Sequence, residues 1–275
     1  MRNASWGWLL LAILVAFAAN VAYAVALQGT VRRRLPIVPT TELQVAMSFS
    51  NLAVPAIGGQ GMQVRFLQKL GVDLPSAVAA GGVLSGFGGL VAALGCFAVA
   101  LLVEPARVDL SLIPTNGLLL LLLITTGLVV LASALVVVFP GLRARVVPAV
   151  AHAARTMADA LRSPGLVALL VGGNVVATIM STWCLQLCLV AFGGHVSFWS
   201  LLAANVGVVT IASIVPIPGG GTAVSSVGLS GALVAFGVPE EIAIAAVLVN
   251  QIIYNYLPAI PGWFATRDLA RHDYL

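Results

Sequence analysis

Long apolar runs, interrupted by short polar clusters, set the pattern of the chain. Asn3–Val31, Leu43–Val64, Leu74–Val103, Leu110–Leu142 and Ile242–Thr266 contain no Asp, Glu, Lys or Arg, and Ser163–Pro239 lacks all four over a stretch long enough for about three bilayer crossings. A hydrocarbon core of about 30 Å needs about 20 apolar residues in a helix. In lipid every backbone N–H and C=O must be bonded within its own segment, so runs of this length predict helices. Leu118–Ile124 shows no period-two alternation, which argues against barrel strands. The first run resembles a secretion signal, with Arg2 before it and Ala22-Tyr23-Ala24 near its end. Its apolar character continues to Leu27 and meets Arg32-Arg33-Arg34, which reads instead as a retained membrane helix.

Composition agrees with this pattern. Of 275 residues 60% are hydrophobic and 8% charged, and mean hydropathy is +1.08. Thirteen basic and nine acidic side chains cannot cover a soluble domain of this size. Cys96, Cys184 and Cys188 all fall inside apolar spans and read as small core residues. The sequence contains no CxxC, HExxH or His/Cys cluster, so neither a metal nor a cofactor is expected.

The few charges orient the spans. Basic residues concentrate in short cytoplasmic loops. Arg32–Arg34, Arg65 with Lys69, the segment Arg143, Arg145, Arg155 and Arg162, and Arg267 with Arg271 are the four basic clusters. They predict a cytoplasmic C-terminus. Glu104–Thr115, Gly193–Ser197 and Gly237–Glu241 are expected outside. Between Arg143 and Arg162, Val150, Ala154, Met157 and Leu161 recur at helical spacing, opposite Arg155, Asp159 and Arg162. This predicts an amphipathic helix over about 143–162, which either lies on anionic headgroups or is a solvated linker.

An internal repeat emerges from the glycines. Val54-Pro55-Ala56-Ile57-Gly58-Gly59 and Val215-Pro216-Ile217-Pro218-Gly219-Gly220 both read V-P-x-x-G-G. Leu70-Gly71-Val72 then corresponds to Phe236-Gly237-Val238, and Ala77, Ala79 and Ala80 to Ala243, Ala245 and Ala246. Proline followed by clustered glycine ends a helix and lets the chain reverse. Such a break is tolerated at membrane depth where protein or a watery cavity surrounds it. Pro55, Gly58 and Gly59, and Pro216, Gly219 and Gly220, are therefore assigned as helix breaks. The first copy is flanked by basic loops and the second by non-basic ones. The expected fold is all-α: a polytopic membrane protein of two inverted repeats, about 1–139 and 163–266, each with a re-entrant hairpin. Gly82 and Gly86 form a GxxxG step and read as helix packing.

Polar groups inside spans are candidates for a transport pathway. Arg65, four residues after Gly61, either holds a lipid phosphate or anchors the hairpin by snorkelling. Asn51, Gln60 and Gln63 belong to the first hairpin, Asn205, Thr210, Ser225 and Ser226 to the second, and Asn250, Gln251 and Tyr254 to the closing helix. Each either contacts a headgroup or bonds helix to helix, and as a set they predict a hydrated cavity between the hairpins. His152 and His195 read as solvated. Ionisable groups within spans are too few for a proton relay, and no acid/base pair or nucleophile constellation appears, so an enzyme is not expected.

At these residues the chain resembles the transmembrane region of lysylphosphatidylglycerol synthases, also found alone as small flippase-like proteins. Two blocks carry the resemblance. One is Ser48-Phe49, Pro55-x-x-Gly58-Gly59, Arg65-Phe66-Leu67 and Gly71-Val72. The other is Pro216-x-Pro218-Gly219-Gly220, Gly237-Val238-Pro239, Ala245–Leu248, Tyr254, Leu257-Pro258 and Pro261-Gly262. The resemblance implies translocation of an aminoacylated or glycosylated phospholipid between leaflets of the cytoplasmic membrane. The alternative is a non-transporting scaffold that partners a separate lipid-modifying enzyme. Membrane phospholipids are the expected partners, and nucleic acid is not. The chain begins at what resembles the family's second helix. It lacks the Glu-Arg pair many members carry after the first hairpin, where it reads Val83-Leu84-Ser85-Gly86, and the synthases' aminoacyl-transfer domain is absent. The Arg-over-Lys bias and the Ala/Gly/Val richness suggest a GC-rich bacterial genome.

Overall fold

A computed structural model describes residues 5–53, 58–104, 148, 151, 154–155, 157–214 and 220–275. Among these residues all regular structure is helical, and four helical stretches are long and apolar enough to cross a membrane: Trp6–Gln28, Leu74–Val103, Pro164–Ala191 and Glu240–Arg271. The protein is an all-α, multi-pass membrane protein. The breaks at Pro55, Pro216 and Gly219, the span Leu110–Leu142 and much of the amphipathic segment 143–162 lie outside the described residues.

In chain order the elements are α1 (Trp6–Gln28), α2 (Ile37–Ala53), α3 (Gly58–Lys69) and α4 (Leu74–Val78). A π-helical segment, π1 (Ala79–Leu84), leads into α5 (Ser85–Val103). After the undescribed stretch come α6 (Pro164–Ala191), α7 (Phe198–Ile214) and α8 (Gly220–Ala235). The chain ends with α9 (Glu240–Gln251), a second π segment, π2 (Ile252–Tyr256), and α10 (Ala259–Arg271).

Small residues let the two central helices meet. Ala12, Ala16, Ala19, Ala22 and Ala26 are the buried face of α1. They pack on α6, where a Cβ at Gly173 would lie 2.6 Å from the Ala26 backbone nitrogen. At the end of α1, a Cβ on Gly29 would lie 2.3 Å from the Leu170 nitrogen. Lipid supplies no hydrophobic force between helices, so such backbone proximity is what holds them. A similar approach joins α10 to α2: a Cβ on Gly262 would sit 2.6 Å from the Val45 carbonyl oxygen.

The basic clusters converge on one end of the bundle. Arg32 donates to the Asp159 carbonyl at 3.2 Å, Gln28 donates to the Arg33 carbonyl at 2.8 Å, and Lys69 pairs with Asp273. Beneath them Leu27, Leu43, Phe66, Leu67, Ala77 and Leu269 form a core cluster, and Tyr274 stacks on Phe66 at 5.8 Å. At the opposite end the Ser5 amide bonds to the Ala191 carbonyl at 3.2 Å and Ser200 donates to Glu104 at 2.8 Å. A second core cluster there joins Leu185, Leu189, Leu201, Leu229, Leu233 and Val238.

Each hairpin keeps to one end. α2 starts beside the Arg32–Arg34 loop, and α3 returns to Lys69. α7 starts near Ser200 and Glu104, and α8 returns to Val238. The returns are built alike. Gly71 has φ +84° and Gly237 φ +87°, a left-handed conformation that suits glycine. In both, the following valine amide reaches back five residues, Val72 to the Leu67 carbonyl at 3.0 Å and Val238 to the Leu233 carbonyl at 3.1 Å. The crossing after each hairpin carries a π segment. For π2 a cause is visible. Pro258 has no N–H to offer the preceding turn, and the Leu257 amide bonds to the Ile252 carbonyl at 2.7 Å.

A candidate lipid-headgroup site

A cavity of about 280 Å³ opens among α1, α2, α3, π1/α5, α6 and π2. Its lining is mostly neutral and polar. α1 contributes Asn20 and Tyr23, α2 Gln44, Ser48 and Asn51, and α3 Gln60 and Gln63. The other crossings contribute Ser85, Asn174, Tyr254 and Asn255. Ala16, Ala19, Ala26, Met47 and Gly86 complete it.

Local structure explains how these side chains converge. Gln44, Met47, Ser48 and Asn51 are spaced i, i+3, i+4 and i+7, so they form one stripe of α2. Asn51 also accepts a hydrogen bond from the Gly59 amide at 2.8 Å. It thereby ties the last turn of α2 to the first turn of α3, where backbone N–H groups have no intrahelical partner. Gly58 and Gly59 permit this contact: a Cβ on Gly58 would lie 2.3 Å from the Ser50 carbonyl oxygen, and one on Gly59 2.8 Å from Asn51 Oδ1. Both π segments adjoin the cavity, Ser85 immediately after π1 and Tyr254 and Asn255 within π2. A π turn offsets the helical register by one residue, re-aiming the side chains at and beyond it.

Hydrogen-bonding capacity in the cavity is largely unspent. Asn20 and Asn174 each donate to a carbonyl one turn back, at 3.1 and 2.8 Å, leaving their side-chain oxygens as acceptors. Asn255 donates to Gln251, and Tyr23 and Tyr254 hydroxyls face each other at 3.4 Å. Gln63 is 3% exposed and makes no side-chain hydrogen bond among the described residues. The cavity is open where Asn51 and Gln60 are exposed.

The remaining sequence candidates are used differently. Asn205 bonds α7 to α6 through Ser181 and Thr182, at 3.3 and 3.0 Å. Gln251 donates to Ser225 at 3.0 Å, joining α9 to α8, and Ser226 donates to the Thr222 carbonyl at 2.7 Å. Asn250 is buried, and its side-chain oxygen has no hydrogen-bond partner among the described residues. Arg65 is exposed and does not line the cavity; it adds to the positive field around Asp273. That placement fits the anchoring alternative. His195 is exposed, and the three cysteines are buried and free.

Among the described residues the lining includes the first hairpin and no residue of α7 or α8. Nor do Gly82 and Gly86 pack closely on any described residue. Among the described residues the nearest atom to a Cβ on Gly82 would be Gln60 Oε1 at 3.7 Å, and nothing lies within 4 Å of one on Gly86. Gly86 lines the cavity, and a Cβ on Gly81 would lie 3.3 Å from the Gln63 and Leu67 side chains. The sequence reading missed Asn20, Tyr23, Gln44, Ser48, Ser85, Asn174 and Asn255. The polar stripe on α2 was the available signal for two of them.

Comparison with known proteins adds one match. Residues 1–262 match the family described as the lysylphosphatidylglycerol synthase TM region. No curated protein matches the chain.

Proposed function

The chain belongs to the lysylphosphatidylglycerol synthase transmembrane-region family, and from that premise we propose that it moves an aminoacylated or glycosylated phospholipid between membrane leaflets. Membership supports a role in lipid metabolism or transport. The observation that carries the finer reading is the polar, uncharged cavity within a bundle of apolar crossings, beside a broken helical hairpin. Asn174 lies about ten residues into α6, or about 15 Å along it, half the thickness of a bilayer core. A headgroup lodged there has left its leaflet while its acyl tails stay in lipid. The two hairpins act as inverted repeats, the arrangement in which broken helices form midplane sites. The basic end faces the cytoplasm of a bacterial cell, with the C-terminus on that side of the cytoplasmic membrane. The protein catalyses no covalent step in this reading. A second reading is partnership with a separate lipid-modifying enzyme that supplies the lipid, since the family is described as the membrane region of a lipid-modifying synthase.

The test is leaflet-resolved chemical quenching in vesicles holding purified protein and labelled aminoacyl or glycosyl phospholipids. Protein-dependent access of the quencher to the inner-leaflet pool is the expected result. Unchanged leaflet distributions for all these lipids would leave the partnership role standing and remove transport.

A further inference from the structure

We infer that the cavity selects a lipid whose headgroup is an uncharged sugar and discriminates against a cationic aminoacyl headgroup; this rests on the transport reading above and narrows its substrate. The first ground is charge. No Asp, Glu, Lys or Arg lines the cavity among the described residues. In the undescribed segments the sequence places charged residues only within 105–109, 143–147 and at Arg2. An ammonium group taken from water into such a site finds no counter-charge, and ionised groups at membrane depth are costly without one.

The second ground is the kind of hydrogen bond on offer. A sugar hydroxyl both donates and accepts, and it is best met by groups that do both. Gln63, nearly fully buried, presents to the cavity an amide without a hydrogen-bond partner among the described residues. Asn51 spends its carbonyl oxygen on Gly59 and keeps its N–H donors, whereas Asn20 and Asn174 bond through N–H and keep their oxygens. The wall therefore alternates donors and acceptors without net charge. A lipid lacking the hydroxyls would leave these groups unpaired, which is how polar sites reject analogues. The third ground is size. The 280 Å³ cavity equals about nine liquid waters at about 30 Å³ each, room for one pyranose ring.

The experiment compares acyl-labelled glucosyl-phosphatidylglycerol with acyl-labelled lysyl-phosphatidylglycerol, which share the phosphatidylglycerol part, in phosphatidylcholine vesicles holding the full chain, read by quencher access. The glucosyl lipid should equilibrate about tenfold faster or more, given the penalty on an unpaired charge. Gln60→Glu, at the exposed mouth where a carboxylate stays hydrated, should reduce or invert that ratio. Equal or faster movement of the lysyl lipid in the unsubstituted protein overturns the inference and leaves transport standing. Movement of neither lipid overturns transport itself. An unchanged ratio in Gln60→Glu, in protein that unfolds at the unsubstituted temperature, also overturns the inference, because the cavity would not be reading charge. Protein-dependent efflux of free methyl glucoside without lipid movement would keep the sugar chemistry but assign it to a soluble ligand, overturning the lipid half of the inference.

Discussion

Replacing Gly173 by alanine tests the seam on which the cavity is built. A Cβ there would lie 2.6 Å from the Ala26 nitrogen, 2.8 Å from its Cα and 2.8 Å from the Ala22 carbonyl oxygen. Comfortable contact begins at about 3.5 Å, so α1 and α6 must separate locally by about 1 Å. All three contacts are backbone, which cannot rotate away. Forcing a methyl group into packed structure costs about 1–3 kcal/mol. Against this, alanine favours a helix over glycine by about 1 kcal/mol. The neighbouring Gly172 separates the two effects, because among the described residues nothing lies within 4 Å of a Cβ at that position. Gly172→Ala should therefore be neutral or stabilising, and Gly173→Ala should lie about 1–3 kcal/mol below it. At roughly 2–4 °C per kcal/mol for a chain of this size, that difference is several degrees. Cys184 and Cys188, on α6 itself, are 0% exposed and provide the readout. A thiol-reactive fluorogenic dye in detergent reports the temperature at which they become accessible. If Gly173→Ala unfolds at or above the temperature of Gly172→Ala, the close approach of α1 and α6 is wrong, and so is the cavity wall carrying Asn20 and Asn174.

Other consequences follow from the same geometry. Gln63→Leu should abolish protein-dependent lipid movement with little change in unfolding temperature, since the buried amide makes no internal bond among the described residues. Asn51→Ala removes the oxygen bonded to the Gly59 amide and should cost about 1 kcal/mol, as loss of a helix N-cap does, with Asn51→Asp retaining the stability. Asn205→Leu breaks bonds between α7 and α6, worth about 0.6 kcal/mol on average in membranes; it should lower the unfolding temperature slightly and leave the lipid rate unchanged. Lys69, with a smaller contribution from Arg65, holds the Asp273 carboxyl below the usual aspartate range. The contact is therefore fully present above the ordinary aspartate value and is lost as pH falls through the lowered one. Amide protection over residues 270–275, corrected for the intrinsic pH dependence of exchange, should fall in that acid window, and Lys69→Met should lower it at neutral pH.

The crossings were legible because lipid penalises charge. The charge-free run Leu74–Val103 has the same bounds as the helical crossing observed, and Asn3–Val31 contains α1 with a few residues to spare. The hairpin ends were legible for a different reason: Gly71 and Gly237 adopt backbone angles that side chains disfavour. The π segments were not legible. The widened turn of π2 accompanies Pro258, which offers the preceding turn no N–H, and no residue pattern in Ala79–Leu84 announces π1.

The site was half legible, and the missing half explains where it lies. Asn51, Gln60, Gln63 and Tyr254 line the cavity, whereas Asn205, Ser225 and Gln251 bond neighbouring helices. In sequence the two sets are equivalent, since both are neutral polar residues in or beside matching hairpins. Rotation separates them. On α2 the polar residues fall in one stripe that faces α1 and α3, so their groups meet across a gap. On α7 Asn205 meets hydroxyls of α6 at bonding distance, and no gap remains. A hydrated pathway needs polar groups that neighbouring helices leave unsatisfied, and the first hairpin supplies them. Among the described residues the first hairpin lines the cavity and the second bonds its neighbours, so rotation and packing, rather than residue type, separate the two polar sets.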